Sequence, residues 1–236
     1  MNGCYRMKIS IIVPTLNEER ALPATLRNLA ESAPGCEVIV VDGGSTDRTW
    51  EIASQFADKP LALLRSERGR GNQMNAGAAK ATGEVLLFVH ADTLLPPDTP
   101  GLIETALAAN GVIGGFFRIE FVPQTPLARV YSLCYNLRSH FRIFYGDACL
   151  FVRRETFEQM GGYRATLLME DIELIRRLRR RGRLAYIRRG AVRSSARRFA
   201  TPWVGVKMLG VWAWLHVLLA FGASQEELAR RYPDKR

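Results

Sequence analysis

Three short apolar runs in this chain each stop at polar groups able to bind or move charge. Lys8-Ile-Ser-Ile-Ile-Val-Pro14 is followed by Thr15, Asn17 and Glu18. Glu37-Val-Ile-Val-Val ends at Asp42, and the run from Val85 to Val89 ends at His90, Ala91 and Asp92. A carboxylate such as Asp92 is a hard oxygen donor of the kind Mg²⁺ and Mn²⁺ prefer, with His90 as a nitrogen neighbour. Further along, Glu170 and Asp171 open an apolar-periodic segment. One carboxylate there could serve as a general base if it meets a substrate hydroxyl. Each feature also has a plain structural reading. Asp92 could cap a helix beginning near Pro97, and Glu170-Asp171 could simply complement a helix dipole. The pair Gly69 and Gly71 around Arg70 could be an ordinary turn.

The elements that must hold these groups follow from the same runs. Short apolar stretches bounded by turn signals read as buried strands. Between them, Leu22, Leu26 and Leu29 recur at helical spacing to about Ala33. A helix is predicted over about 46–56, capped by Ser45 or Thr46, and a weaker strand over 61–64. Another helix carries Gln73, Asn75 and Gly77, and a further one spans about 98–109. Strands alternating with helices at this spacing mean βαβ units and a mostly parallel sheet, whose carboxyl ends collect ligands. After Val112 the pattern changes: one or two strands over 112–122, then an aromatic, arginine-bearing stretch to 144 with no clean period. Another short strand follows Gly146 and Asp147, a brief helix covers about 155–160, and two late strands cover 184–187 and 191–194.

Composition narrows the class. The 236 residues are 47% apolar, ample for a core, and carry a formal charge of +10, which favours anionic partners. Cys4, Cys36, Cys134 and Cys149 form no CxxC pair, which argues against a zinc site or disulfide framework and fits a reducing, cytoplasmic compartment. The first residues do not read as a secretory signal. There is no GxxxxGK[ST] phosphate loop, and no GxGxxG follows the first strand. Aromatics near 141–151 are not interleaved with basic residues, so nucleic acid is not expected as a partner.

Taken together, Ile11-Ile-Val-Pro14-Thr15-Leu-Asn17-Glu18, Val41-Asp42-Gly-Gly-Ser45-Thr46-Asp47, Arg70-Gly71-Asn72-Gln73-Met74-Asn75, His90-Ala91-Asp92 and Glu170-Asp171 occur in the order of glycosyltransferase family 2. The resemblance covers roughly residues 8–200. It is nearest to a bacterial subgroup with His-Ala-Asp in place of the usual Asp-x-Asp, whose members are associated with radical-SAM proteins or arsenosugar biosynthesis. The resemblance implies a GT-A fold with a nucleotide half over about 8–110 and an acceptor half over about 111–200. It implies an inverting transfer of a sugar from a UDP- or GDP-sugar to a hydroxyl acceptor, whether small molecule, glycan or lipid carrier. By position, Pro14, Thr15, Asn17 and Glu18 match the nucleoside segment and Asp42 the acid that binds the base. Arg70, Gln73 and Asn75 match the segment beside the donor, and His90, Ala91 and Asp92 the ribose and metal segment. Asp171 matches the catalytic base, with Glu170 beside it. Asp147 falls on the acceptor side, and Arg197 or Arg198 near the diphosphate. His90 stands where the family has its first acid, so Asp92 is left as the protein's metal carboxylate for Mn²⁺ or Mg²⁺.

Two rivals stay open. A nucleotidyltransferase would want a GxGTR-type loop after the first strand, which Pro14-Thr15-Leu16-Asn17 is not. A scaffold that binds nucleotide sugars without turning them over would be consistent with His90. Finally, residues 203–221 form a strongly apolar helical stretch interrupted by Lys207 and His216. It could pack on the domain, form a homodimer seam or lie on an anionic membrane surface at the inner face, and it is just short of a comfortable span.

Overall fold

The computed structural model describes residues 5–56, 61–138, 146–164 and 170–199, together with Gly210 and Trp214. The expected helix over 203–221 lies outside the described residues apart from those last two, and Trp214 is exposed. The first half alternates as its sequence predicts: β1 (Ile9–Thr15), α1 (Leu22–Ser32), β2 (Glu37–Asp42), α2 (Thr49–Ser54), β3 (Leu61–Arg65), α3 (Arg70–Lys80) and β4 (Val85–Phe88). The second half adds β5 (Thr93–Leu94), α4 (Thr99–Leu107), β6 (Val112–Val122), α5 (Pro126–Arg138), β7 (Phe151–Arg153), α6 (Arg154–Gln159), α7 (Glu170–Arg181) and β8 (Arg183–Ser195).

All eight strands belong to one sheet in the order β3-β2-β1-β4-β7-β6-β8-β5. β3, β2, β1 and β4 are mutually parallel, so their carboxyl ends share one edge. β7 then runs antiparallel to both β4 and β6, and β5 antiparallel to β8. The sheet is therefore mostly parallel, as expected, and mixed through two reversed strands, β7 and β5.

Strand residues of opposite parity feed two cores, because successive side chains leave a strand on opposite faces. Ile11, Val13, Val85 and Leu87 point to one side with Leu26 and Leu29 of α1 and Ile103 of α4. Ile12, Leu86 and Phe88 point to the other with Met74 of α3, Phe157 of α6 and Leu178 of α7. Burial on both faces is why these strands read as unbroken apolar runs.

Three elements differ from expectation. The unperiodic stretch after Pro123 contains α5. Ala128, Tyr131 and Tyr135 face the core while Val130, Leu133 and Leu137 remain exposed, so apolar residues lie on both sides of the helix and blur its period. The job of α5 is to close the edge of β6 where β7 ends. Asn136 pairs with both backbone groups of Ile119, at 3.1 and 2.9 Å, and the Ser132 hydroxyl accepts from Phe121 N–H at 2.9 Å. Covering a bare edge in this way removes a site of unwanted strand pairing. The two late strands are one, β8, whose parallel register with β6 jumps from Ile187 to Ala191 around Gly190. Helix α2 begins at Thr49, not at 46, because Ser45 and Thr46 use their side chains elsewhere and Asp47 accepts from Thr49 N–H.

Helix α3 lies tightly on β1 and β2 through Gly77. A Cβ there would sit 2.5 Å from Ile12 Cγ2 and 3.1 Å from Val41 Cγ2, both on fully buried residues. Alanine would gain about 1 kcal/mol of helix propensity. Overpacking a site that cannot yield costs about 1–3 kcal/mol. Gly77→Ala is therefore expected to lower the denaturant midpoint, and an unchanged or raised midpoint would show that α3 can shift off the sheet.

Candidate active site

The carboxyl ends of β1 and β2 open into loops stitched to each other. Asn17, in the left-handed region that asparagine tolerates, donates its N–H to Ser45 Oγ at 2.9 Å. Its Oδ1 accepts from Thr46 N–H at 2.8 Å. Glu18 N–H donates to Thr49 Oγ1, and Glu19 N–H to Asp47 Oδ2. Asp42 is buried, and its carboxylate accepts from Gly44 N–H and Ser45 N–H at 3.1 Å each and from the Ser45 hydroxyl at 2.5 Å. Asp42 thus shapes the turn that follows it. Pro14 is in register with Val41, and the buried Thr15, which ends β1, donates its hydroxyl to Val41 O.

Two amides of α3 act as braces. Gln73 Nε2 donates to Thr15 O at 2.7 Å and to Val41 O at 2.8 Å, tying the ends of the two strands together beneath the loops. Asn75 pairs with the backbone of Tyr163 in both directions, Nδ2 to the carbonyl at 2.7 Å and N–H to Oδ1 at 2.9 Å. That fixes the turn after α6, and Arg177 strengthens it by donating to the carbonyls of Met160 and Gly162.

The acids meet around two arginines. Arg70, at the start of α3, lies 3.7 Å from Glu170. Burial works against its charge, but Glu170, then Asp147, Asp171 and Asp92, outweigh that and hold the guanidinium above its ordinary range. Acids from three separate regions therefore act on one partly buried cation, with Glu170 its ion-pair partner. Arg197 forms a forked pair with Glu18, at 2.8 and 2.5 Å, while its Nη2 also lies 3.1 Å from Asp92. Such bidentate pairs are among the stronger charge-assisted contacts. Of Arg198 only the backbone is described. His90 Nδ1 faces Asp147 at 3.3 Å, and Tyr135 donates its hydroxyl to the other oxygen of Asp147 at 3.1 Å. Asp171 lies in the first turn of α7, where its Oδ1 accepts from Ile172 N–H.

Ala91 is buried and its carbonyl accepts from the Thr25 hydroxyl at 2.7 Å, which anchors the turn carrying His90 and Asp92 to α1. Asp92 does not cap α4; that helix starts after Asp98.

Tyr135 and Tyr163 are the site residues that no motif signalled. Burial pushes the Tyr163 hydroxyl well above the tyrosine range, with Asp171 and Glu170 adding to the effect and Arg70 opposing it. Its ring sits edge-on to Phe88, the last residue of β4, at 5.4 Å between centroids. Cys149 is buried with φ 53°, a strained conformation of the kind that gathers at functional sites. Burial raises its thiol pKa, with Asp147 and Asp92 contributing.

For a divalent ion the donor set is sparse: among the described residues no three His, Cys, Asp or Glu side chains form a metal cluster. The surroundings of Asp92 nonetheless suit a cation. Its carboxylate and that of Glu18 already converge on one guanidinium. One hard carboxylate oxygen can hold Mg²⁺ or Mn²⁺ when phosphate oxygens and water complete the shell.

The family model for glycosyl transferase family 2 matches residues 10–161. A probable glycosyltransferase of Bacillus subtilis, YdaM, is 28% identical over 192 residues, 71% of this chain and 45% of that protein. A dolichol-phosphate mannosyltransferase of Pyrococcus furiosus is 36% identical over 104 residues, 42% of this chain and 30% of its own length. The chain thus spans less than half of these curated relatives. Among solved structures, the mannosyltransferase PcManGT from Pyrobaculum calidifontis, in complex with GDP-Man and Mn²⁺, superposes with TM-score 0.62 at 25% identity. That likeness covers 81% of this chain and 57% of the other.

Asn75→Ala removes both bonds to the Tyr163 backbone and strands its N–H and carbonyl. Each buried polar group left unpaired costs about 1–3 kcal/mol. The expected result is a lower thermal midpoint with faster amide exchange at Tyr163; unaltered exchange there would show the turn after α6 to be held by Arg177 alone.

Proposed function

The chain belongs to glycosyltransferase family 2, and from that premise we propose that it moves a sugar from a nucleoside-diphosphate donor to a hydroxyl acceptor with inversion at the anomeric carbon. The observation that carries this reading is the gathering of acids on two arginines at the edge where β1, β2 and β4 end, Glu170 at 3.7 Å from Arg70 and Glu18 and Asp92 at 2.5 and 3.1 Å from Arg197. The loops held by Asp42, Asn17 and Glu18 form the nucleoside side of that crevice. Asp147 and His90 form its acceptor side.

In this scheme Asp171 takes the proton of the acceptor hydroxyl as its oxygen attacks the anomeric carbon, and the diphosphate leaves from the opposite face. Glu170 lies 3.7 Å from Arg70, and Asp171 stands beside it in the first turn of α7. Arg70 and Arg197 supply positive charge where the leaving diphosphate gathers negative charge. Asp92 would hold Mn²⁺ or Mg²⁺, which when bound adds Lewis-acid stabilisation of the diphosphate oxygens.

A UDP- or GDP-sugar is the proposed donor; the GDP-Man bound by the Pyrobaculum calidifontis structure supports the second. A lipid carrier is one acceptor class, supported by the dolichol-phosphate mannosyltransferase relative. Working on such an acceptor would place the protein against a membrane surface, and no helix among the described residues is long and apolar enough to cross one. The His90-Ala91-Asp92 triplet supports membership of the subgroup associated with radical-SAM proteins. Residues 203–221 are proposed to pack on the domain, on a second copy or on the membrane.

Asp171→Asn tests the mechanism. With a panel of UDP- and GDP-sugars and nucleoside diphosphate release as readout, the variant should lose about 10²–10⁴-fold in rate, the usual weight of a general base. Nucleotide affinity should remain at the wild-type level. Full activity in the variant would remove Asp171 from catalysis. A wild-type protein that binds nucleotide but turns over no donor would favour the scaffold reading.

A further inference from the structure

Asp92 is engaged before any ion arrives. Arg197 Nη2 lies 3.1 Å from its Oδ2, while the same guanidinium forks onto both oxygens of Glu18. Arg197 reaches Glu18 across 179 positions of sequence, from the single 3-10 turn Ala196–Phe199 that follows β8. Ser195 N–H donates to the Asp92 carbonyl at 3.3 Å, so the backbone of this segment is docked on the Asp92 loop as well. Two carboxylates thus share one monovalent cation, at the point where the proposed function puts a divalent one.

We propose that Arg197 is the resident counter-ion of Asp92 and is exchanged for the divalent cation only when a nucleoside diphosphate binds. The inference rests on the transferase reading. A metal approaching the empty crevice must displace a guanidinium held by two acids, and it gains one protein carboxylate in return. Once a diphosphate is present the balance changes. Its oxygens complete the shell of the ion, and the released guanidinium can turn to the phosphates while keeping Glu18. Arg197 is about half exposed, so its head can move without dismantling the core. Ion and nucleotide should therefore bind with strong positive coupling, and by linkage each must tighten the other by the same factor. The arginine is the origin of that coupling and acts as a positioning residue for Asp92.

The test is Mn²⁺ binding, read from the electron paramagnetic resonance signal of the free ion, with and without UDP or GDP. In the wild type the nucleotide is expected to tighten Mn²⁺ about tenfold or more, within the usual range of coupling between sites. Arg197→Ala should bind Mn²⁺ markedly more tightly than wild type without nucleotide, and the coupling should fall to about twofold or less. Arg197→Lys, which keeps the charge and the fold but not the fork, should fall between the two. Arg193→Ala removes an exposed arginine of β8 and the same unit of charge, and should leave wild-type coupling intact. Unchanged or weaker Mn²⁺ binding in both Arg197 variants would overturn the exchange, as would an Arg193→Ala result equal to that of Arg197→Ala. Nucleotide binding measured alongside by calorimetry separates the two claims. If UDP or GDP binds but the coupling is insensitive to Arg197, only the exchange fails; if neither binds, the transferase reading fails with it.

Discussion

The crevice depends on how the buried strands are allowed to end. At the β1/β2 boundary the carbonyls of Thr15 and Val41 emerge into a space that the loops must keep open, and buried carbonyls without partners are costly. Thr15 O has the N–H of Gly43 and Val41 O has the Thr15 hydroxyl, and Gln73 adds a second donor to each from below, giving both amide hydrogens of one nitrogen to the two strands. Above them Asp42 fixes the following turn by accepting three of its hydrogens. With the strand ends fixed in this way, Asn17 and Glu18 can bond across to Ser45 and Thr49. The loops after β1 and β2 are thus held by bonds within the chain.

Charge is organised on a second principle. The chain is strongly basic, yet the site gathers Glu18, Asp92, Asp147, Glu170 and Asp171, with Arg70 and Arg197 among them. Buried carboxylates that close would repel one another and shift towards the neutral form. Arg70 and Arg197 are the counter-ions set among them, Arg70 at 3.7 Å from Glu170 and Arg197 on Glu18 and Asp92. Most of the remaining arginines after Arg176 are exposed and form a basic exterior. Arg177 is different, since it forks onto Glu173 and ties the turn after α6 to α7.

What the sequence disclosed follows from the range of the interactions involved. β1, β2 and β4 are buried on both faces, so their apolar runs stand out, and the carboxylates that close them are local signals. The acid pair Glu170-Asp171 is legible for the same reason. α5 escaped notice because Tyr131 and Tyr135 are buried while Leu133 and Leu137 face outward. β7 was legible as a short strand after Asp147, but its antiparallel pairing with β4 and β6, far away in sequence, was not. The roles of Gln73 and Asn75 as braces, the Tyr135 contact on Asp147 and the reach of Arg197 to Glu18 are all tertiary. A motif can say that such residues recur together; only the fold shows which partner each one holds.

The most direct measurement is calorimetric titration of the intact chain with UDP and with GDP, each in Mn²⁺ and in EDTA. The expected result is that one nucleotide binds at a single site per chain and binds more tightly with Mn²⁺, since Asp92 and the diphosphate would share the ion. Failure of both nucleotides to bind under either condition would contradict the assignment of this crevice to a nucleotide-sugar donor.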